Sequence, residues 1–204
     1  EANHIIHVRG QANLDFHGMG TTSSVLLLLP QGAVAAHVGD SRVYRLRGNR
    51  LEQLSFDHSL VWELMASGQL SREDLPSDIR KNIILRSLGP NAEVKVDLEG
   101  PYPLSVGDTF LVCSDGLSGQ VTNEEMAMLL QSLSPQEAVK TFVDLANLRG
   151  GPDNITVIVV RVTGQLSEAA AGGGIRMPIW FWAGLTVLAL LAAGMFALGQ
   201  LALA

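Results

Sequence analysis

Three aspartates share a context that ordinary surface acids lack. Asp40 closes the apolar run AVAAHVGD, Asp115 closes TFLVCSD, and Asp153, in GGPDN, stands just before ITVIVV. Each lies at the mouth of an apolar strand with glycine close by, which lets the backbone bend or approach closely. Taken singly, each reads as a turn former, a role aspartate often fills. Clustered carboxylates repel one another unless protons or a cation hold them, and an oxygen-only donor set suits Mg2+ or Mn2+. Three of them at strand mouths weaken the turn reading without removing it, and the sequence by itself does not bring them together in space.

Other reactive side chains give weaker signals. A cysteine phosphatase needs an arginine six positions beyond its thiolate, but Gly119 stands there after Cys113. No basic neighbour in sequence lowers that thiol's pKa, so Cys113 reads as a small core residue. The GMG at 18–20 is followed by Ser23 and the strand-like SSVLLLL, whereas a dinucleotide loop needs a helix there. No G-x-S-x-G elbow of a serine hydrolase occurs. His58 reads as the neighbour of a helix cap before it reads as an active-site acid, and His37 as a core residue within a strand. Arg42 reads as structural.

The elements that must position the acids follow from turn chemistry. Strands are predicted over 24–29, 33–38, 42–47 and 50–54, separated by PQG, GDS and GN. Such close spacing implies antiparallel hairpins rather than crossover units. A helix is predicted over 60–67 after the cap at 57–59, and a short helical turn from Ser71. Further strands are predicted over 94–98, 109–113 and 155–162. Helices over 123–132 and 135–148 follow the caps Thr122 and Ser134, with Pro135 at the first helical position. Antiparallel strands with paired helices make an α+β layered domain over residues 1–162.

The chain has 204 residues, 47% of them hydrophobic, which suffices for one domain plus an appendage. Its formal net charge of -6 supplies no basic stripe for nucleic acid. One Cys permits no internal disulfide, so the fold does not depend on an oxidising compartment. Residues 163–177 are rich in glycine and alanine and read as a linker. Residues 178–200 read as a transmembrane helix. Positions 178–199 carry no charge and would extend about 33 Å, enough for a hydrocarbon core of about 30 Å. Trp180 and Trp182 at its leading edge and Arg176 just outside favour a single pass with the main domain in the cytoplasm. The opening EANHIIHVRG has no initiator Met, which suggests a start inside a larger protein.

GMGTT (18–22), VGDSR (38–42), DHS (57–59), CSDGL (113–117) and GPDNIT (151–156) occur in that order. In these residues the chain resembles the metal-dependent type 2C (PPM) serine/threonine protein phosphatases, over roughly residues 10–162. The resemblance implies a four-layer αββα sandwich of two antiparallel sheets flanked by helices, here N-terminally truncated. It implies a binuclear Mn2+ or Mg2+ site with Asp115 and Asp153 as ligands, and Asp40 helping to hold a weaker third ion. A metal-activated water would then attack phosphoserine or phosphothreonine on proteins, the targets of serine/threonine kinases. Gly116, Asn154 and Ser114 would support the ligands, Gly116 by letting the chain turn away and Asn154 through side-chain hydrogen bonds.

Two departures qualify that expectation. The family's opening arginine segment and Asp-Gly-x-Gly-Gly motif do not occur in these residues, and Gly119 stands where some members carry an Asp for the third ion. Residues 1–204 alone are therefore expected to bind metal weakly and to show little activity. The parent protein would be active if it carries the missing motif. The alternative is a catalytically inactive, membrane-anchored pseudophosphatase that binds or regulates phosphoproteins.

Overall fold

The structure is a computed structural model that describes residues 1–71 and 83–164. Hairpin chemistry builds two antiparallel sheets. In the first, β1 (Ser23–Leu29) pairs with β2 (Gly32–Val38), which pairs with β5 (Asp97–Tyr102). In the second, the order is β4 (Arg50–Gln53), β3 (Arg42–Arg47), β6 (Thr109–Cys113), β7 (Val157–Arg161). Cys113 pairs with both Arg42 and Val157. This register puts the site-bearing ends of three strands at one end of the second sheet.

The sheets close over a core of Ala33, Ala35, Val43, Leu54 and Phe110. The opposite face of the four-stranded sheet buries Tyr44 and Leu111 against Leu117, Met126, Leu130 and Phe142. These come from α3 (Asp115–Ser118), α4 (Asn123–Ser132) and α5 (Pro135–Leu148). Thr122 with Glu125, and Ser134 with Glu137, form capping boxes that satisfy the first free N–H groups of α4 and α5. The helices thus start where the sequence predicts.

Two antiparallel sheets with flanking helices are present as expected, but the cover is unequal. Val25, Leu27, Leu29 and Leu98 of the three-stranded sheet stay exposed. The start of α1 (Ala2–Ala12) lies near Ser23 and Val25 of that sheet, together with Leu88 and the segment that holds Ala92, Val94 and Val96.

Several expectations shift. The strand expected over 94–98 is β5, at Asp97–Tyr102. Gly100 and Pro101 argue locally against a strand, yet an edge position tolerates a missing N–H. Neither α1 nor α3 is anticipated by the sequence reading, because α1 contains Gly10 and has no acid in its first turn, while α3 is a single turn. Helix α2 (Leu60–Ala66) stands where expected, with the Ser59 hydroxyl accepting from the Trp62 N–H. The helical turn expected from Ser71 runs into residues outside the described set, and the 178–200 membrane helix falls there entirely. No helix among the described residues is long and apolar enough to cross a membrane.

Candidate metal centre

Asp40 sits on a turn that β2 cannot make without glycine. Gly39 has φ +114, and a β-carbon there would collide with the Thr22 side chain. His58 holds this turn from both sides: its N–H donates to the Gly39 carbonyl at 2.8 Å, and its Nδ1 accepts from the Gly39 N–H at 3.0 Å. The Asp40 residue that follows is only 8% exposed. Burial, and next the Asp115 carboxylate, push its carboxyl up to about 6.

Asp115 does not end a strand, as its sequence context suggests. The strand stops at Cys113, and Asp115 is the first residue of α3. The neighbouring Gly116 is buried against the Asn154 carbonyl, where a β-carbon would overlap that oxygen. Gly116 therefore permits a close approach of two backbones, rather than only letting the chain turn away. Ser114 bolts the same junction. Its N–H donates to the Thr156 carbonyl at 3.1 Å, its hydroxyl donates to the Asn154 carbonyl at 3.1 Å, and its oxygen accepts from the Thr156 N–H at 3.0 Å. The Asn154 bonds come from its backbone, not from its side chain as expected.

Asp40 and Asp115 face one cavity of about 330 Å3, with Arg42, Asp57, Ser59 and Gly119 on its walls. Asp153 is not on that wall. Its carboxylate accepts from the Asn154 N–H at 2.7 Å, although its backbone lies against Gly116. Among the described residues, no group of three or more His, Cys, Asp or Glu is placed to hold a metal ion. The structure thus brings together two of the three expected acids. Their chemistry fits a divalent cation: two hard oxygen donors repel across a buried space, and one is driven toward its neutral form.

Asp57 is the acid that sequence reasoning left out of the site, reading DHS as a helix cap and as one of the ordered motifs. Arg42 grips it with Nε at 2.9 Å from Oδ1 and Nη2 at 2.6 Å from Oδ2, while Gln53 Nε2 adds a bond at 3.0 Å. Arg42 also donates to the Tyr44 hydroxyl at 3.1 Å. Asp57 is therefore already neutralised, which leaves Asp40 and Asp115 as the unpaired charges of the cavity. Arg42 is structural, as expected, and also forms part of the wall.

Cys113 is buried, and burial pushes its thiol up to about 12, which leaves no thiolate for nucleophilic chemistry. His37 is buried as well, with Nε2 donating to the Phe56 carbonyl at 3.0 Å. Burial, and then the neighbouring His58, hold its pKa below the usual histidine value.

No family model matches the chain. Similar proteins do. The serine/threonine phosphatase stp of Listeria welshimeri is 44% identical over 161 residues, covering 78% of this chain and 64% of that protein. A putative protein phosphatase 2C-type of Streptococcus pyogenes is 42% identical over 159 residues, 78% of this chain and 64% of that protein. The chain thus spans less than two thirds of the length of these curated relatives. Among solved structures, the Mycobacterium tuberculosis serine/threonine phosphatase PstP/Ppp superposes with a TM-score of 0.73 at 34% identity, over 79% of this chain and 68% of that one. The catalytic domain of PstP in complex with two manganese ions superposes with a TM-score of 0.68 at 32% identity, over 79% and 67%. With both sequence and backbone matched over more than two thirds of the mycobacterial phosphatase, the chain belongs to the type 2C (PPM) family of serine/threonine phosphatases.

Proposed function

We propose that the full-length protein removes phosphate from phosphoserine and phosphothreonine on proteins, with Mn2+ or Mg2+ bound at the Asp40–Asp115 cavity. The observation that carries this reading is the pair itself: two unpaired carboxylates on one small cavity, with the third acid, Asp57, already held by Arg42. In this reading Asp115 and Asp153 would hold the two principal ions, Asp153 by turning its carboxylate from the Asn154 N–H toward the cavity, and Asp40 a further, weaker one. Bound there, such ions lower the pKa of water and offset charge on the phosphoryl oxygens during in-line displacement. The chain's own part is to keep the oxygens fixed. Gly116 and Ser114 lock the Asp115 turn to the Asp153 turn, and Arg42 keeps Asp57 from competing for the cation. The two manganese ions bound by the PstP catalytic domain support the choice of metal.

The partners proposed are phosphoproteins made by serine/threonine kinases. Residues 178–199, uncharged throughout, support a membrane anchor with the phosphatase domain in the cytoplasm. Recovery of the protein in the soluble fraction without detergent would overturn the anchor.

A second reading, an inactive phosphoprotein-binding module, draws on Asp153, whose carboxylate accepts from the Asn154 N–H and stands off the cavity wall. Phosphate release from a phosphothreonine peptide, with Mn2+ and then with a chelator, separates the two. The enzyme reading expects release that the chelator abolishes, and the module reading expects peptide binding without release.

A further inference from the structure

A chain of hydrogen bonds runs from the surface to the residue before Asp40. The Arg86 Nη1 donates to Asp97 Oδ1 at 2.8 Å. His58 Nε2 lies 2.9 Å from Asp97 Oδ2, and His58 Nδ1 lies 3.0 Å from the Gly39 N–H. The Gly39 amide can only donate, so Nδ1 carries no proton and the ring is the Nε2–H tautomer. Nε2–H therefore donates to Asp97. Arg86 Nη1 also lies 3.0 Å from Nε2 but does not donate to it, because Nε2 bears the proton; both groups donate to the one Asp97 carboxylate. Every proton in the relay is assigned: Arg86 orients Asp97, Asp97 fixes the imidazole, and the imidazole accepts from Gly39.

The far end of this relay is narrow. Gly39 has a conformation that only glycine adopts easily, and its carbonyl is taken by the His58 N–H at 2.8 Å. One residue thus clamps both the N–H and the C=O of the turn whose next residue is Asp40. His58 is itself buried and is not on the wall of the Asp40–Asp115 cavity. Its ring does not line that cavity, and the hydrogen bonds that tie it to Asp40 run through Gly39.

We propose that His58, oriented by Asp97 and Arg86, is the positioning residue that aims Asp40 into the metal cavity through Gly39. This rests on the metal reading above. A buried carboxylate beside Asp115 has every electrostatic reason to swing away, and the clamp opposes that swing. His58→Asn keeps a side-chain oxygen near the position of Nδ1, whereas His58→Leu keeps bulk without an acceptor.

The test is a titration of the full-length protein with Mn2+ alone, for wild type, Asp40→Asn, Asp115→Asn, His58→Leu and His58→Asn. Melting temperature is followed in parallel. The expected result is an Mn2+ affinity lowered about 10- to 100-fold in Asp40→Asn and His58→Leu, with His58→Asn recovering most of it. If Asp40→Asn binds weakly but folded His58→Leu binds as wild type does, the positioning role is overturned while the metal reading stands. If Asp40→Asn binds as wild type does, Asp40 holds no ion and the proposal is overturned. The principal ions of the metal reading are judged separately by Asp115→Asn, whose wild-type binding would overturn that reading. Should His58→Leu not fold, ring nitrogen NMR of the metal-free wild type decides. An unprotonated Nδ1 bonded to the Gly39 amide is expected, and a ring protonated at Nδ1 overturns the proposal.

Discussion

Gly116 and Asn154 lie in backbone contact so close that no side chain fits at position 116. The contact joins the turn that carries Asp115 to the turn that carries Asp153, with α4 and α5 between them in the chain. Gly116→Ala must push these turns apart. It is expected to lower stability by about 1–3 kcal/mol, as overpacking does, with the loss read from urea denaturation. Mn2+ affinity should fall with it. Unchanged stability would mean the turns are not locked at this point.

The Arg42–Asp57 pair is mostly buried on the acid side, with the Asp57 side chain 6% exposed and Arg42 25%. Removing the guanidinium leaves a mostly buried carboxylate with the Gln53 bond in place of its charged partner. Arg42→Met should therefore cost about 2–4 kcal/mol, somewhat under the range for a fully buried pair, because Arg42 keeps some solvent. The double variant Arg42→Met with Asp57→Asn should recover part of that loss, and a thermodynamic cycle over the four proteins measures it.

Acid sensitivity should come in part from Asp108. Burial by itself would raise its carboxyl, but bonds from Arg47 at 2.8 and 2.7 Å and from the Ser105 N–H at 2.8 Å outweigh this and hold it below the usual carboxylate range. A folded pKa below the unfolded one adds stability above about pH 4 that disappears as pH falls through the folded value. Asp108→Asn should lower stability at pH 7 and flatten the loss that wild type shows as pH falls below about 4. A parallel acid limb in wild type and variant would rule this out.

The capped helices and the hairpins were legible in the sequence because their signals are local. Thr122 with Glu125, and Ser134 with Pro135 and Glu137, each lie within a few residues of one another. The ordered motifs gave the family for the same reason. What sequence could not give is mostly contact across distance. Asp57 is read locally as a cap, and only the fold sets Arg42, fifteen positions back, against it. Asp97 and Arg86 carry no motif, so their link to His58 appears only once β5 is paired with β2. The strand-mouth context of Asp153 likewise does not disclose that its carboxylate accepts from the adjacent Asn154 N–H and stands off the wall shared by Asp40 and Asp115.

Asp115 faces the cavity, repels Asp40 and opens the α3 turn that Gly116 locks. The most direct measurement is the Mn2+-dependent turnover of a phosphothreonine peptide by the full-length protein and by Asp115→Asn, at saturating Mn2+. Losing a charge that holds the cation removes several kcal/mol of transition-state stabilisation, so turnover should fall by about 100-fold or more. Equal turnover in the two proteins would contradict the account.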